Sequence, residues 1–220
     1  FWLISVCSAF ALFGSKRNVD NEVLVFKSRR LMTEVARNLH LDVSYTVKDG
    51  LRTVELYTQS PVQLSFPDAE EAQAFSLKAV PVSGKEVVLS GFTLGGREVA
   101  DGKPVKVALN DTVTTPVGRV VVVPSLYYGD KYFNTVVQVT KSPLQDVALR
   151  FQGGLQATLA NKASTIINLT LQDVSIPRAE DVINTLISVY NTDAINDKNQ
   201  IVMYTSNFIN CLLYTSPSPR

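Results

Sequence analysis

The sequence predicts an α+β fold: a helix, then a β-rich and mostly antiparallel region, then a strand and a long C-terminal helix that projects from the domain. Three observations carry that expectation. Residues 42–140 hold short apolar runs at regular intervals, separated by turn pairs such as Asp49-Gly50, Ser83-Gly84, Gly95-Gly96 and Asp101-Gly102. The flanks of that region carry apolar residues at helical spacing. Residues 164–210 read as a buried strand running through Pro177 into one helix with no stop signal before residue 210.

The elements follow in order. Asp20 is a candidate N-cap with Glu22 in the first turn, and Leu24, Leu31, Val35 and Leu39 fall on one stripe of a single helix. Lys27, Arg29, Arg30 and Arg37 occupy its other faces and read as a solvated surface. Strands are expected at 43–47, 53–57, 62–66, 75–80, 86–89, 105–108, 117–123 and 135–140, which argues for an antiparallel sandwich or barrel-like unit. Helical character returns at 142–160, with Ser142 as N-cap and Pro143 at the first helical position, although Gly153-Gly154 weakens its middle. A strand is expected at 165–171. After Pro177, Glu180 and Asp181 sit in a first helical turn, and Ala179, Val182, Ile183, Leu186, Ile187, Tyr190 and Ala194 form an apolar stripe. From Asn191 to Gln200 the helix turns polar, so it either projects as a rod or lies in a subunit interface.

Composition narrows the function. The 220 residues carry a formal net charge of +1 with 45% hydrophobic and 19% charged residues. That balance disfavours nucleic acid as a partner and disfavours disorder. No apolar run reaches the roughly 18 residues that suggest a membrane span. Residues 1–11 read as a truncated start. Residues 211–220 (CLLYTSPSPR) resemble a translated sequencing adapter and are set aside. Without Arg220 the 21 basic residues fall to parity with the 20 acidic ones, and without Cys211 only Cys7 remains, so no disulfide is inferred.

Chemistry-bearing motifs are sparse. His40 is the only histidine and sits near the end of the first helix, where the helix dipole favours it; a triad or a zinc site would lack its other members. Residues 79–86 approach a phosphate loop at Gly84-Lys85, but Ala79 replaces the first glycine and Glu86 the magnesium-binding hydroxyl, so Ser83-Gly84 reads as a hairpin turn. Tyr127, Tyr128, Tyr132 and Phe133 surround Gly129-Asp130. The three tyrosines are candidate glycan contacts, weighed against rings that fold back onto a sheet. The glycosylation-like triplets at Asn110 and Asn168 read as accidental. Asp193 and Asp197 share a helix face, either as an acid/base pair or as part of a polar interface.

The segments Asn18-Val19-Asp20-Asn21-Glu22 and Lys27-Ser28-Arg29 resemble the start of the periplasmic domain of polysaccharide co-polymerases, also called chain-length determinants. Leu56-Tyr57, Ser60-Pro61, Pro116 and Gly118-Arg119 are similar to later segments of it. The most specific match is Ile166-Ile167-Asn168-Leu169, Gln172-Asp173, the run from Pro177 to Asn184, Tyr190-Asn191 and the run from Asp193 to Asn199. The resemblance covers residues 12–210 as one extracytoplasmic domain, with a β-rich section at 42–140 and a helix, strand and long helix at 142–210. It is closest to the subgroup fused to a tyrosine autokinase.

The resemblance implies flanking transmembrane helices and a kinase domain using ATP and Mg, all outside this sequence. No catalytic residue, cofactor-binding residue or metal ligand carries over to this chain. It implies a homo-oligomeric ring on the periplasmic face of the inner membrane, working with a polysaccharide polymerase and an outer-membrane export protein to set capsular or exopolysaccharide chain length. Within it, Asp193, Asn196, Asp197 and Lys198 are the candidate subunit-interface residues. Two rivals remain: a glycan-binding β-rich module without a kinase link, and a carboxylate-dependent glycosidase whose acids would have to converge in a cleft.

Overall fold

The computed structural model describes the backbone of residues 4–11, 16–99, 103–160 and 166–215, and the side chains of 21–99, 103–160 and 166–211. It is an α+β protein in which a helix-and-strand body adjoins a β-rich module. In chain order the elements are β1 (Ile4–Ala11), α1 (Lys16–Phe26), α2 (Arg29–Asn38), β2 (Val43–Asp49), β3 (Arg52–Glu55), β4 (Val62–Ser65), β5 (Phe75–Ser83) and β6 (Glu86–Leu94). Then come β7 (Arg97–Glu98), β8 (Val105–Ala108), β9 (Thr112–Thr115), β10 (Gly118–Pro124), β11 (Val137–Lys141), α3 (Leu144–Gly154), β12 (Leu155–Leu159), β13 (Ile166–Asp173) and α4 (Ile176–Thr215).

The β-rich module is built from two antiparallel sheets. A seven-stranded sheet runs β3-β2-β11-β5-β6-β7, with β8 also paired to β6, and a three-stranded sheet runs β4-β10-β9. Alternation drives both, as in β4 (Val62 and Leu64 buried, Gln63 and Ser65 exposed). Their apolar faces share one core that includes Leu77, Ala79, Val87, Leu89, Phe92, Val120 and Val137. Gly91, at φ 60°, sits where the register between β5 and β6 slips, a backbone geometry that favours glycine.

The second body encloses its own core. Its sheet is β1-β13-β12, antiparallel throughout. Every other residue of β13 is buried (Ile167, Leu169, Leu171, Asp173). Onto these pack Leu31, Met32, Val35 and Ala36 of α2, Val147, Ala148 and Phe151 of α3, and Ala179, Val182, Ile183 and Leu186 of α4. Phe26 stacks on Tyr190 with ring centroids 4.5 Å apart, and the Tyr190 hydroxyl donates to Glu22 Oε2 at 2.6 Å.

Several expectations are corrected. The first helix is two. It breaks at Lys27-Ser28 because the Ser28 hydroxyl caps a new helix by accepting from Leu31 N (3.3 Å). Asp20 therefore lies inside α1 and is no cap, and Leu24 is 67% exposed. The expected helix at 142–160 ends at Gly153-Gly154 and gives way to β12. Its N-cap position is held by Pro143, not Ser142. The expected strand at 53–57 stops at Glu55, and Tyr57 enters a short 3-10 turn at φ 46°. β7 and β9 had no counterpart in the expected strands. The stretch set apart as 1–11 contributes β1, whose backbone pairs along the whole of β13 from Ile4 opposite Asp173 to Ala11 opposite Ile166. The turn expected at Asp101-Gly102, the strand's first residue Thr165 and the Ser216–Arg220 end lie outside the described residues, as do the side chains of the 1–20 segment, Cys7 included.

Candidate functional site

The two cores meet at a buried ionic node. Arg178, in the first turn of α4, places Nε and Nη2 on the two carboxylate oxygens of Asp173 at 2.7 and 2.6 Å. Its Nη1 lies 3.3 Å from Glu55 Oε2 on β3, and its guanidinium sits over the Phe151 ring at 5.8 Å. Glu55 Oε1 accepts from the Tyr45 backbone N–H (3.2 Å), and the Tyr57 hydroxyl donates to Asp181 at 2.9 Å. Burial opposes the Arg178 charge, but the hydrogen bonds to Asp173 and the Glu55 charge outweigh it and hold the guanidinium above its ordinary value. Burial and then the Asp181 hydrogen bond raise the Tyr57 phenol. The node thus joins β13, α3 and the root of α4 to the edge of the seven-stranded sheet. A second joint is the buried ion pair of Lys141 with Asp42, beside which Ser142 N donates to Asp42 O at 2.8 Å.

Beyond this root α4 runs between α2 and solvent. A groove of about 360 Å³ follows the α2–α4 crossing, walled by Arg30, Glu34 and Asn38 on one side and by Ser188, Thr192 and Asn196 on the other. Arg30 Nη2 reaches Asp193 Oδ2 across it at 2.5 Å. Of the four candidate interface residues, Asp193 is therefore engaged within its own chain, whereas Asn196, Asp197 and Lys198 are exposed. Every described side chain from 195 to 211 is exposed.

The distal half of α4 carries a feature that the polar-rod expectation missed. Ile195, Ile201, Val202, Tyr204, Phe208 and Ile209 are all 50% exposed or more. Ile195, Val202 and Ile209 recur every seventh residue, as do Ile201 and Phe208. No charged residue occurs between Lys198 and the end of the helix at Thr215. The heptad spacing is present in the sequence, behind an Asn- and Asp-rich turn whose polarity masks it.

Two of the arginines on the basic face of the first helices are paired with carboxylates of the same chain, and a third bonds a neutral amide. Arg29 donates to Gln145, Arg30 pairs with Asp193, and Arg37 pairs with Glu34 and Glu71. His40, at φ 49°, follows the end of α2 with its backbone N–H on Arg37 O (3.2 Å) and its side chain exposed. Gly84-Lys85 is a two-residue turn closing the β5–β6 hairpin.

The tyrosine cluster separates into different roles. Tyr128 donates to Ser83 O (2.6 Å) and sets its ring edge-on to Phe133, so it fastens the 125–134 segment to the hairpin. Tyr127 is half exposed, and Lys131 lies over the partly buried Tyr132 ring at 5.4 Å. Among the described residues no group of three or more His, Cys, Asp or Glu could hold a metal ion, and no helix is long and apolar enough to cross a membrane. No family model matches the chain, and no curated protein matches it.

Proposed function

We propose that this chain is an extracytoplasmic assembly domain of a polysaccharide co-polymerase, in a protein that regulates capsular or exopolysaccharide chain length and export and that includes a tyrosine autokinase. The observation that carries the reading is α4. Its first half is locked into the α/β core by Ala179, Val182, Ile183 and Leu186, while beyond Lys198 an uncharged stretch offers Ile201, Tyr204 and Phe208 to solvent. A stable helix with such a face is built to be covered by another surface. The resemblance of residues 166–199 to the co-polymerase family supplies the partner: neighbouring copies in a ring beside the inner membrane. Asp197 and Lys198 then make hydrogen bonds between subunits at the start of that contact.

The reading is tested in cells that depend on the full gene for polymer length control. Charge reversal of Asp197 and Lys198 together, or Phe208→Gln, should broaden the polymer length distribution and reduce oligomer size. Unchanged profiles and unchanged oligomers would count against it.

A further inference from the structure

One end of the seven-stranded sheet has an unusual surface. Val137 at the start of β11 lies opposite Val47 near the end of β2 and opposite Ala79 in β5, so three turns emerge side by side. They are the β2–β3 hairpin at Gly50-Leu51, the β5–β6 hairpin at Gly84-Lys85 and the 125–136 segment. That segment is tied to its neighbours by Asn134 N on Pro81 O (2.8 Å) and by the Tyr128 hydroxyl on Ser83 O. Gly50 takes a positive φ of 59° and leaves Leu51 at the hairpin tip, 107% exposed, while Leu126 is 102% exposed. Val54, Val82, Tyr127 and Val136 around them are each between 43% and 50% exposed.

We propose that this end of the sheet is a lipid-bilayer contact surface, which inserts Leu51 and Leu126 into the headgroup region of a membrane. The two leucines stand on separate turns, which suits a deformable apolar medium better than a rigid complementary face. Lys48, Arg52, Lys85 and Lys131 are exposed beside the tips, where long basic side chains can extend to the headgroups while their stems lie against acyl chains. Tyr127 and Tyr132 add rings of the kind favoured at a bilayer interface. Asp49, Glu86, Asp111 and Asp130 balance those cations at the same end, so the surface fits a zwitterionic headgroup layer and its binding is driven by apolar insertion. Tyr128, edge-on to Phe133 and bonded to Ser83 O, belongs to the frame of this surface and not to its contact face.

This inference is independent of the assembly reading, and flotation of the whole chain with vesicles separates the two. The chain should float equally with pure phosphatidylcholine vesicles and with vesicles containing added phosphatidylglycerol. Leu51→Asp and Leu126→Asp should each weaken binding by about tenfold with unchanged circular dichroism. Leu94→Asp, an exposed leucine at the opposite end of the same sheet, should leave it unchanged. As a second readout, Leu126→Trp should add a fluorescence component quenched by brominated lipid. Four results would overturn the proposal: no flotation with either vesicle, flotation only with the anionic one, indifference to the leucine substitutions, or binding to dextran that those substitutions abolish.

Discussion

Arg178 and Asp173, five residues apart, close a buried two-bonded ion pair across the corner where β13 turns into α4. Because Glu55 touches the same guanidinium, the direction in which the long helix leaves the body is tied to the edge of the β-rich module. Arg178→Met would strand Asp173 as a buried carboxylate. The expected loss is about 3–5 kcal/mol in urea denaturation, since removing one partner of a buried pair leaves the other uncompensated. Arg178→Lys should recover only part of it, because an ammonium cannot make the two parallel bonds.

Gly91 tests the register slip between β5 and β6. A Cβ there would lie 3.2 Å from Lys78 Cδ, and the φ of +60° disfavours any L side chain. The lysine stem can move; the backbone strain cannot be relieved so easily. Gly91→Ala should therefore cost about 1–2 kcal/mol, read as a lower Tm.

Alkaline pH tests the burial of Tyr45, whose hydroxyl accepts from Leu64 N (2.9 Å) and whose pKa burial pushes up to about 12 from the ordinary 10.0. The folded-state value is the higher one. Its stabilisation is therefore complete below about pH 10 and is lost as pH rises through the folded value, amounting to about 3 kcal/mol. The Tyr57 and Tyr190 phenols shift upward as well and steepen the decline. Denaturation midpoints measured across that range should fall, and Tyr45→Phe should be less stable at neutral pH yet show a shallower fall.

Tyr127 and Tyr128 are neighbours with opposite expectations. Tyr128→Phe removes the bond to Ser83 O and should cost about 1 kcal/mol. Tyr127→Ala, at a half-exposed position, should change stability by no more than about 0.5 kcal/mol. Thermal melts of the two variants distinguish the fastening ring from the surface ring.

Much of this architecture was legible locally. The strand expected at 105–108 coincides with β8, and the stripe from Ala179 to Tyr190 is the buried face of α4, because both depend on nearest-neighbour periodicity alone. β12 looks helical in the sequence because Leu155 and Leu159 continue the four-residue spacing of Val147 and Phe151, so the helical pattern outlasts the helix that Gly153-Gly154 ends. β1 is hidden from a local reading because its strand neighbour among the described residues, β13, lies far along the chain, and pairing over such a separation leaves no local trace. The Arg178 node was invisible for the same reason: Glu55 and Arg178 meet only once the sheet edge is placed against the helix root. In the site, exposure at Asp197 and Lys198 could be read from polarity, whereas the engagement of Asp193 by Arg30 needed the α2–α4 crossing.

The assembly role is tested most directly by the mass of the purified chain in solution, measured by light scattering over a range of concentrations. On the proposed assembly role the chain of 24.2 kDa should appear as a multiple of that mass, and Ile201→Gln with Phe208→Gln should return it to the single-chain value with its fold intact. A parent chain that stays at the single-chain mass up to the highest soluble concentration would contradict it.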